Sequence, residues 1–222
     1  MTSRPASAAA WQHEPMADAE FPSLATLLDM PAGEPDPITE RILDAALAEF
    51  TEFGLRRASV DDIRRRAGVN RATVYRRFAT KNDLVAATFQ RWILGLLAET
   101  AAAVSDRATV RERLVEGFVR SVLIVRTDAL VARLLTSEPE MFVPYLTTDG
   151  GPVLRACREF LAAQCRELLA DGQTMTVDAD AAAEIALRLA QSVVLTPEGY
   201  FDLHDETALR AFADRFVGPL AG

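Results

Sequence analysis

The chain has 222 residues, 50% hydrophobic and 25% charged, with a formal net charge of −8. These are the proportions of a soluble globular protein, long enough for a full core in one or two domains. No uncharged apolar run approaches the roughly 18 residues of a membrane span, the first ten residues do not read as a secretory signal, and two cysteines make neither a disulfide framework nor a four-thiolate zinc site, so a cytoplasmic protein without membrane contact is expected.

In chain order, residues 1–35 come first. Six of the eleven prolines lie within the first 37 residues, a density that resists regular structure and predicts a largely disordered extension over 1–35. One island inside it, Phe21, Leu24, Leu27 and Leu28, has helical spacing. It reads either as a short helix docked on the body or as a transient helix in a loose tail.

From Asp36 the chain reads as helix after helix. Asp36 is a good N-cap and Pro37 suits the first helical position. Ile42, Ala46, Phe50 and Phe53 recur at helical spacing and form one apolar stripe, which Gly54 ends. Ser59-Val60-Asp61-Asp62 is a capping-box variant that opens a short helix stopping at Gly68. Asn70 caps a second short helix to about Phe78, and Thr80-Lys81-Asn82-Asp83 opens a long one to about Ala103. Further helical spacing covers 110–126, 128–136, about 152–170, 179–195 and 206–217, separated by breakers such as Glu138-Pro139 and Asp149-Gly150-Gly151-Pro152. No convincing strand pattern or Asn-Gly hairpin interrupts them. The predicted class is all-α, with about nine helices.

The informative window is 56–81. It holds nine basic residues (Arg56, Arg57, Arg64, Arg65, Arg66, Arg71, Arg76, Arg77, Lys81) against two acids (Asp61, Asp62), a local +7 in a chain of −8. DNA phosphates are the obvious partner for such a patch, although charge alone fits a solvated basic face equally well. Geometry favours DNA. Two short helices joined through a glycine make a helix-turn-helix unit. Val60, Ile63, Ala67, Val69, Val74 and Phe78 are placed to lock the pair. Arg71 stands at the N-terminal end of the second helix, where recognition helices meet base edges, and suits guanine O6 and N7. Ala72 permits close approach to a thymine methyl, while Thr73, Tyr75 and Lys81 suit phosphate oxygens.

The string Ser59-Val60-Asp61-Asp62-Ile63, Ala67-Gly68-Val69-Asn70-Arg71-Ala72-Thr73-Val74-Tyr75-Arg76-Arg77-Phe78 and Lys81-Asn82-Asp83-Leu84 resembles the DNA-binding domain of the TetR/AcrR (tetracycline-repressor-like) regulators. The resemblance covers roughly residues 38–87. It implies a three-helix DNA-binding domain over 36–82 and a helical effector-binding and dimerisation domain over 83–222. It also implies a homodimer that reads a near-palindromic double-stranded operator and is more often a repressor than an activator. By this resemblance Ser59, Thr73, Tyr75 and Lys81 hold phosphates, and Arg71, Ala72 and Arg76 read bases. With the cap Asn70, these make the candidate DNA-contacting set. Two departures stand out. Arg64 occupies a position that is usually alanine, and the segment 32–36 lacks the basic arm some members lay in the minor groove.

The remaining helices carry looser signals. Ala182, Ala186, Leu189 and Val193 share one stripe, and Leu209, Phe212, Phe216 and Leu220 another. They suit a four-helix dimer seam through about 179–195 and 206–217, or the protomer's own core. Trp92, Phe118, Val122, Phe142, Tyr145, Phe160 and Gln164 are candidates for a pocket taking a small hydrophobic effector, with core packing as the plainer reading of any one of them. Cys157 and Cys165, eight apart, read as small apolar residues, with a thiol sensor as the alternative.

Catalytic signals are missing. The two histidines, His13 and His204, sit in no metal-binding pattern, and there is no nucleophile elbow, phosphate loop or dinucleotide fingerprint. No catalytic residue, metal or cofactor is assigned, and an enzyme is not expected. The alternative to a ligand-responsive DNA-binding regulator is a helical small-molecule-binding protein without DNA binding.

Overall fold

The computed structural model describes residues 36–222; the expectations for 1–35, including the island at Phe21 to Leu28, lie outside the described residues. Ten α-helices follow in order: α1 (Pro37–Phe53), α2 (Val60–Ala67), α3 (Arg71–Arg77), α4 (Lys81–Val104), α5 (Val110–Thr127), α6 (Ala129–Ser137), α7 (Pro139–Leu146), α8 (Gly151–Ala170), α9 (Ala179–Leu195) and α10 (Glu206–Phe216), closed by a 3-10 turn at Gly218–Leu220. No strand occurs among the described residues, so the class is all-α.

The helices start where local side chains satisfy their first amide groups. The Asp36 carboxylate accepts from the backbone N–H of Ile38 and Thr39, with Pro37 at the first position. Thr80 and Asp83 exchange bonds at 2.8 and 3.0 Å, fixing the start of α4. Thr109 and Glu112 do the same for α5, and Asp178 and Asp205 cap α9 and α10. Each such cap is worth about 1 kcal/mol.

Two expectations are corrected. Glu138-Pro139 does not separate helices by a loop; Pro139 opens α7, and Glu138 is buried instead of lying on a loop surface. Proline lacks only an N–H that a first-turn residue leaves unpaired anyway, so it starts helices as readily as it stops them. The α1 stripe also ends a turn early: Ile42, Ala46 and Phe50 are fully buried, but Phe53 is 42% exposed.

The chain forms two compact units. The first holds residues up to Trp92 together with Arg133–Phe142. Ile42, Phe50, Leu55, Ile63, Leu84 and Phe89 fill its interior, with the Phe50 and Phe89 rings stacked 6.2 Å apart. Arg66 adds a polar tie by reaching back to the buried Glu49 at 2.8 Å.

The second unit holds Ile93–Ala132 and Val143–Gly222. Leu114, Phe118, Val119 and Val122 of α5 are buried among α8, α9 and α10. Burying each of the larger side chains contributes about 1.5–3 kcal/mol. Gly117 allows the close approach: a Cβ there would lie 3.0 Å from Leu161 Cδ1. Glu116, also buried, accepts from Arg120 at 2.9 Å and Arg210 at 2.8 Å, tying α5 to α10.

The apolar stripes of α9 and α10 are largely spent inside this unit. Ala182, Ala186, Val193 and Leu209 belong to its core, with Leu189, Phe212 and Leu220 packed against it. What remains outward is Ile185 on α9, Phe216 on α10, and Tyr200 and Phe201 between the two helices. Phe201 meets Tyr200 at 5.1 Å and Phe216 at 5.3 Å, edge to face.

Candidate nucleic-acid interface

The helix-turn-helix is assembled from α2, the turn and α3. Val60, Ile63 and Ala67 of α2 are buried, as are Val74 and Phe78 at the other side of the turn, while Val69 is partly buried. Gly68 ends α2 with φ at +63°, a left-handed conformation costly for residues with a Cβ. The Arg41 guanidinium donates to the carbonyls of Ala67 (2.5 Å) and Gly68 (3.2 Å), so α1 holds the turn from behind. Asn70 Oδ1 accepts from the Thr73 amide at 2.8 Å and opens α3.

The predicted contact residues divide by burial. Ala72 and Arg76 are exposed, and Arg71, Tyr75, Lys81 and Ser59 are half-buried. Thr73 differs from its expected role on phosphate, since it is buried and its hydroxyl bonds to Asn70 Oδ1 at 2.9 Å. The Ser59 hydroxyl lies against the Asp62 carboxylate and also caps α2.

Arg71 is held in place by its neighbours. Its Nε donates to the Tyr75 hydroxyl at 3.2 Å, its Cζ lies 5.7 Å from the Tyr75 ring centre, and its Nη1 is 3.9 Å from Asp61 Oδ1. The Tyr75 hydroxyl first, and the Asp61 charge after it, raise the already high pKa of this guanidinium. It stays a cation at any physiological pH.

The basic window is less bare than its sequence suggests. Glu49 and Glu52 pair with Arg66, Asp36 with Arg77, and Glu140 with Arg56. Inside the window, Asp61 pairs with Arg64 and Asp62 with Arg65. All four outside acids come from beyond residues 56–81, so a window count misses them. Arg57 and Arg76 are exposed and make no ion pair among the described residues.

The predicted pocket residues are not gathered in one place. Trp92 and Phe142 belong to the first unit, where the Trp92 ring meets Phe89 edge to face at 5.8 Å. Phe118 and Val122 lie in the core of the second unit, with the Phe118 ring stacked on Phe212 at 6.0 Å. Tyr145, Phe160 and Gln164 are half-buried. An open cavity of about 390 Å³ lies elsewhere in this unit, lined by Arg158, Asp180, Ala181, Glu184, Ile185 and Arg188. Burial pushes the Cys157 and Cys165 thiols up to about 11, which suppresses the reactive thiolate. Among the described residues, no group of three or more His, Cys, Asp or Glu is placed to hold a metal, and no helix is long and apolar enough to cross a membrane.

An all-α chain with a capped, glycine-turned pair of short helices and an arginine at the start of the second is a helix-turn-helix DNA-binding protein. Comparison with known proteins agrees. The profile described as "Bacterial regulatory proteins, tetR family" matches residues 42–88, and "Bacterial Tetracyclin repressor, C-terminal domain" matches 109–213. An uncharacterized HTH-type transcriptional regulator of Mycobacterium tuberculosis is 31% identical over 169 residues, 76% of this chain and 86% of that protein. A second such regulator from the same organism is 27% identical over 82% of this chain and 84% of that protein. The fold is shared with the fatty acid degradation regulator FadR from Bacillus halodurans (TM-score 0.58, 21% identity, covering 84% of this chain and 97% of that one). It is also shared with the transcriptional regulator FadR from Bacillus subtilis, solved in complex with stearoyl-CoA (TM-score 0.53, 19% identity, 82% and 97%). The chain belongs to the tetR family of bacterial transcriptional regulators.

Proposed function

We propose that this regulator acts as a homodimeric repressor that leaves its operator when a small hydrophobic effector binds. The observation that carries the DNA half of this reading is α3. Ala72 and Arg76 are exposed on it, and Arg71 is held at its N-terminal end by Tyr75. Residues 36–82 form the DNA-binding domain. Arg71, Ala72 and Arg76 read bases, while Tyr75 and Lys81 hold phosphates. Ser59, Asn70 and Thr73 serve mainly by shaping α2 and α3.

Two copies are needed because one short helix reads only one half-site. The seam involves 179–195 and 206–217, through the outward residues Ile185, Tyr200, Phe201 and Phe216 and not through the buried stripes. The effector is bound within 83–222, and the half-buried Tyr145, Phe160 and Gln164 are its candidate contacts. A regulator of the same fold was solved with stearoyl-CoA, which makes long-chain acyl thioesters the first compounds to try. The effector works by favouring a dimer state in which the two recognition helices are wrongly spaced for the operator.

A mobility-shift titration against DNA flanking the protein's own gene tests the reading. A sequence-selective shift that weakens steeply with salt, and weakens again on adding palmitoyl- or stearoyl-CoA, is expected. Equal binding to flanking and unrelated duplexes would overturn the operator reading. A shift indifferent to every acyl-CoA would remove the proposed effector class while leaving the DNA reading intact.

A further inference from the structure

We propose that Asp61, on the helix before the recognition helix, is a positioning residue that presents Arg71 end-on to a guanine. The inference rests on the reading of Arg71 as a base-reading residue. Two contacts fix the guanidinium: Nε donates to the Tyr75 hydroxyl at 3.2 Å, and Nη1 lies 3.9 Å from Asp61 Oδ1. A guanidinium is a rigid planar fork, so tethering it at Nε and on one side of Nη1 directs its Nη1/Nη2 edge as a unit. That edge matches the O6 and N7 acceptors of guanine. An arginine ordered before contact loses less conformational freedom when the base pair is met, and discriminates better against a wrong base.

A carboxylate beside a phosphate backbone would ordinarily repel it. Arg64 removes this difficulty, because its Nε donates to the same Asp61 Oδ1 at 2.9 Å. The side chains of Asp61, Arg64 and Arg71 are 26%, 32% and 31% exposed, a half-buried trio in which charges are screened less than at an open surface. This gives Arg64, which replaces the alanine usual in the family, a specific task. The start of α2 does not depend on Asp61, since Ser59 accepts from the Asp62 amide at 3.1 Å.

The test selects DNA from a pool of duplexes with a randomised central segment, using the full-length wild type, Asp61→Asn, Arg71→Ala and the double variant. Affinity for the selected duplex, for its single-base variants and for unselected duplex is then read by fluorescence anisotropy, alongside melting temperature. The wild type is expected to enrich one guanine per half-site that Arg71→Ala no longer prefers. Asp61→Asn should reduce the preference for that same guanine about tenfold. It should bind unselected duplex as tightly or tighter, because a negative charge has gone, and melt as the wild type does. In the Arg71→Ala background, Asp61→Asn should change no base preference. An Asp61→Asn protein that keeps the guanine preference overturns the inference. So does one that loses selected and unselected binding together with thermal stability, which marks a structural role. Arg71→Ala retaining every preference removes the base-reading role and the positioning role with it. Failure of the wild type to enrich any sequence removes the operator reading itself, and those two failures are distinguishable in the same experiment.

Discussion

The carboxylate of Glu138 accepts a hydrogen bond from the backbone N–H of Arg56 at 3.0 Å, across 82 residues of chain. It does so while only 3% exposed, and Gly54 leaves it the room: a Cβ there would sit 2.6 Å from Glu138 Oε1. The neighbouring contacts reinforce this clasp. Arg133 donates to the carbonyls of Thr51 and Glu52 at the end of α1, and Glu140 pairs with the Arg56 guanidinium at 2.7 Å.

Removing either side of the clasp should lower stability. Gly54 has φ at +82° with ψ at 167°, a region reserved for glycine. Gly54→Ala should therefore cost more than about 1 kcal/mol from backbone strain, before the clash with Glu138 is counted. Glu138→Ala, which leaves the Arg56 amide without its acceptor, should cost about 1–3 kcal/mol. Urea unfolding followed by circular dichroism measures both. Unchanged midpoints would show that the clasp is incidental.

Two basic residues should fail differently on DNA. Arg71→Ala should cost about 1–3 kcal/mol at one base position and relax choice there. Lys81→Ala should weaken operator and random duplex alike and reduce the slope of log affinity against log salt by about 1. Salt-dependent anisotropy titrations separate the two. Equal loss on both duplexes for Arg71→Ala would place that side chain on phosphate.

Glu116 sets an acid limit for the second unit. Burial pushes its carboxyl up, but hydrogen bonds from Arg210 and Arg120 outweigh this and hold it below the ordinary 4.5. A folded-state value below the unfolded one means that the contribution is fully present above about pH 4.5 and is lost as pH falls through the folded value. Because Arg120 and Arg210 are more than a third exposed, the loss is modest, about 1–2 kcal/mol. Glu116→Gln should shift the melting temperature down at neutral pH and flatten its decline in acid. A decline of the same steepness in the variant would assign the acid sensitivity elsewhere.

The cysteines should be nearly inert in the native protein. With thiols at about 11, the thiolate fraction near pH 7.5 is on the order of one in a thousand or less. Ellman's reagent should label Cys157 and Cys165 slowly in buffer and fully in guanidinium. Fast stoichiometric labelling of either without denaturant would revive the thiol-sensor reading.

What the sequence made legible is what short-range chemistry controls. Asp36, Ser59, Asn70 and Thr80 announce their helices because a cap needs a partner only two or three residues away. The Gly68 turn and the buried Val74 and Phe78 are legible for the same reason. Long-range pairing is not. Glu138 looked like surface because its partner lies 82 residues back, and Pro139 carries the same chemistry whether it stops a helix or starts one. The +7 window was legible, but its partial neutralisation by Glu49, Glu52, Asp36 and Glu140 required the fold. Thr73 shows the limit within the motif itself, since periodicity could not tell that its hydroxyl turns to Asn70. The apolar stripes of α9 and α10 were correctly read as apolar, yet spacing does not say whose core they enter.

The first unit is discontinuous, because it borrows Arg133–Phe142 from far downstream. A ribosome must therefore finish more than 50 intervening residues before the piece that grips the α1–α2 turn can leave the exit tunnel. Until then the nascent helix-turn-helix has Gly54 and the Arg56 amide exposed to water, and a truncated transcript ending within α4 would yield a protein whose DNA-reading head never receives its brace.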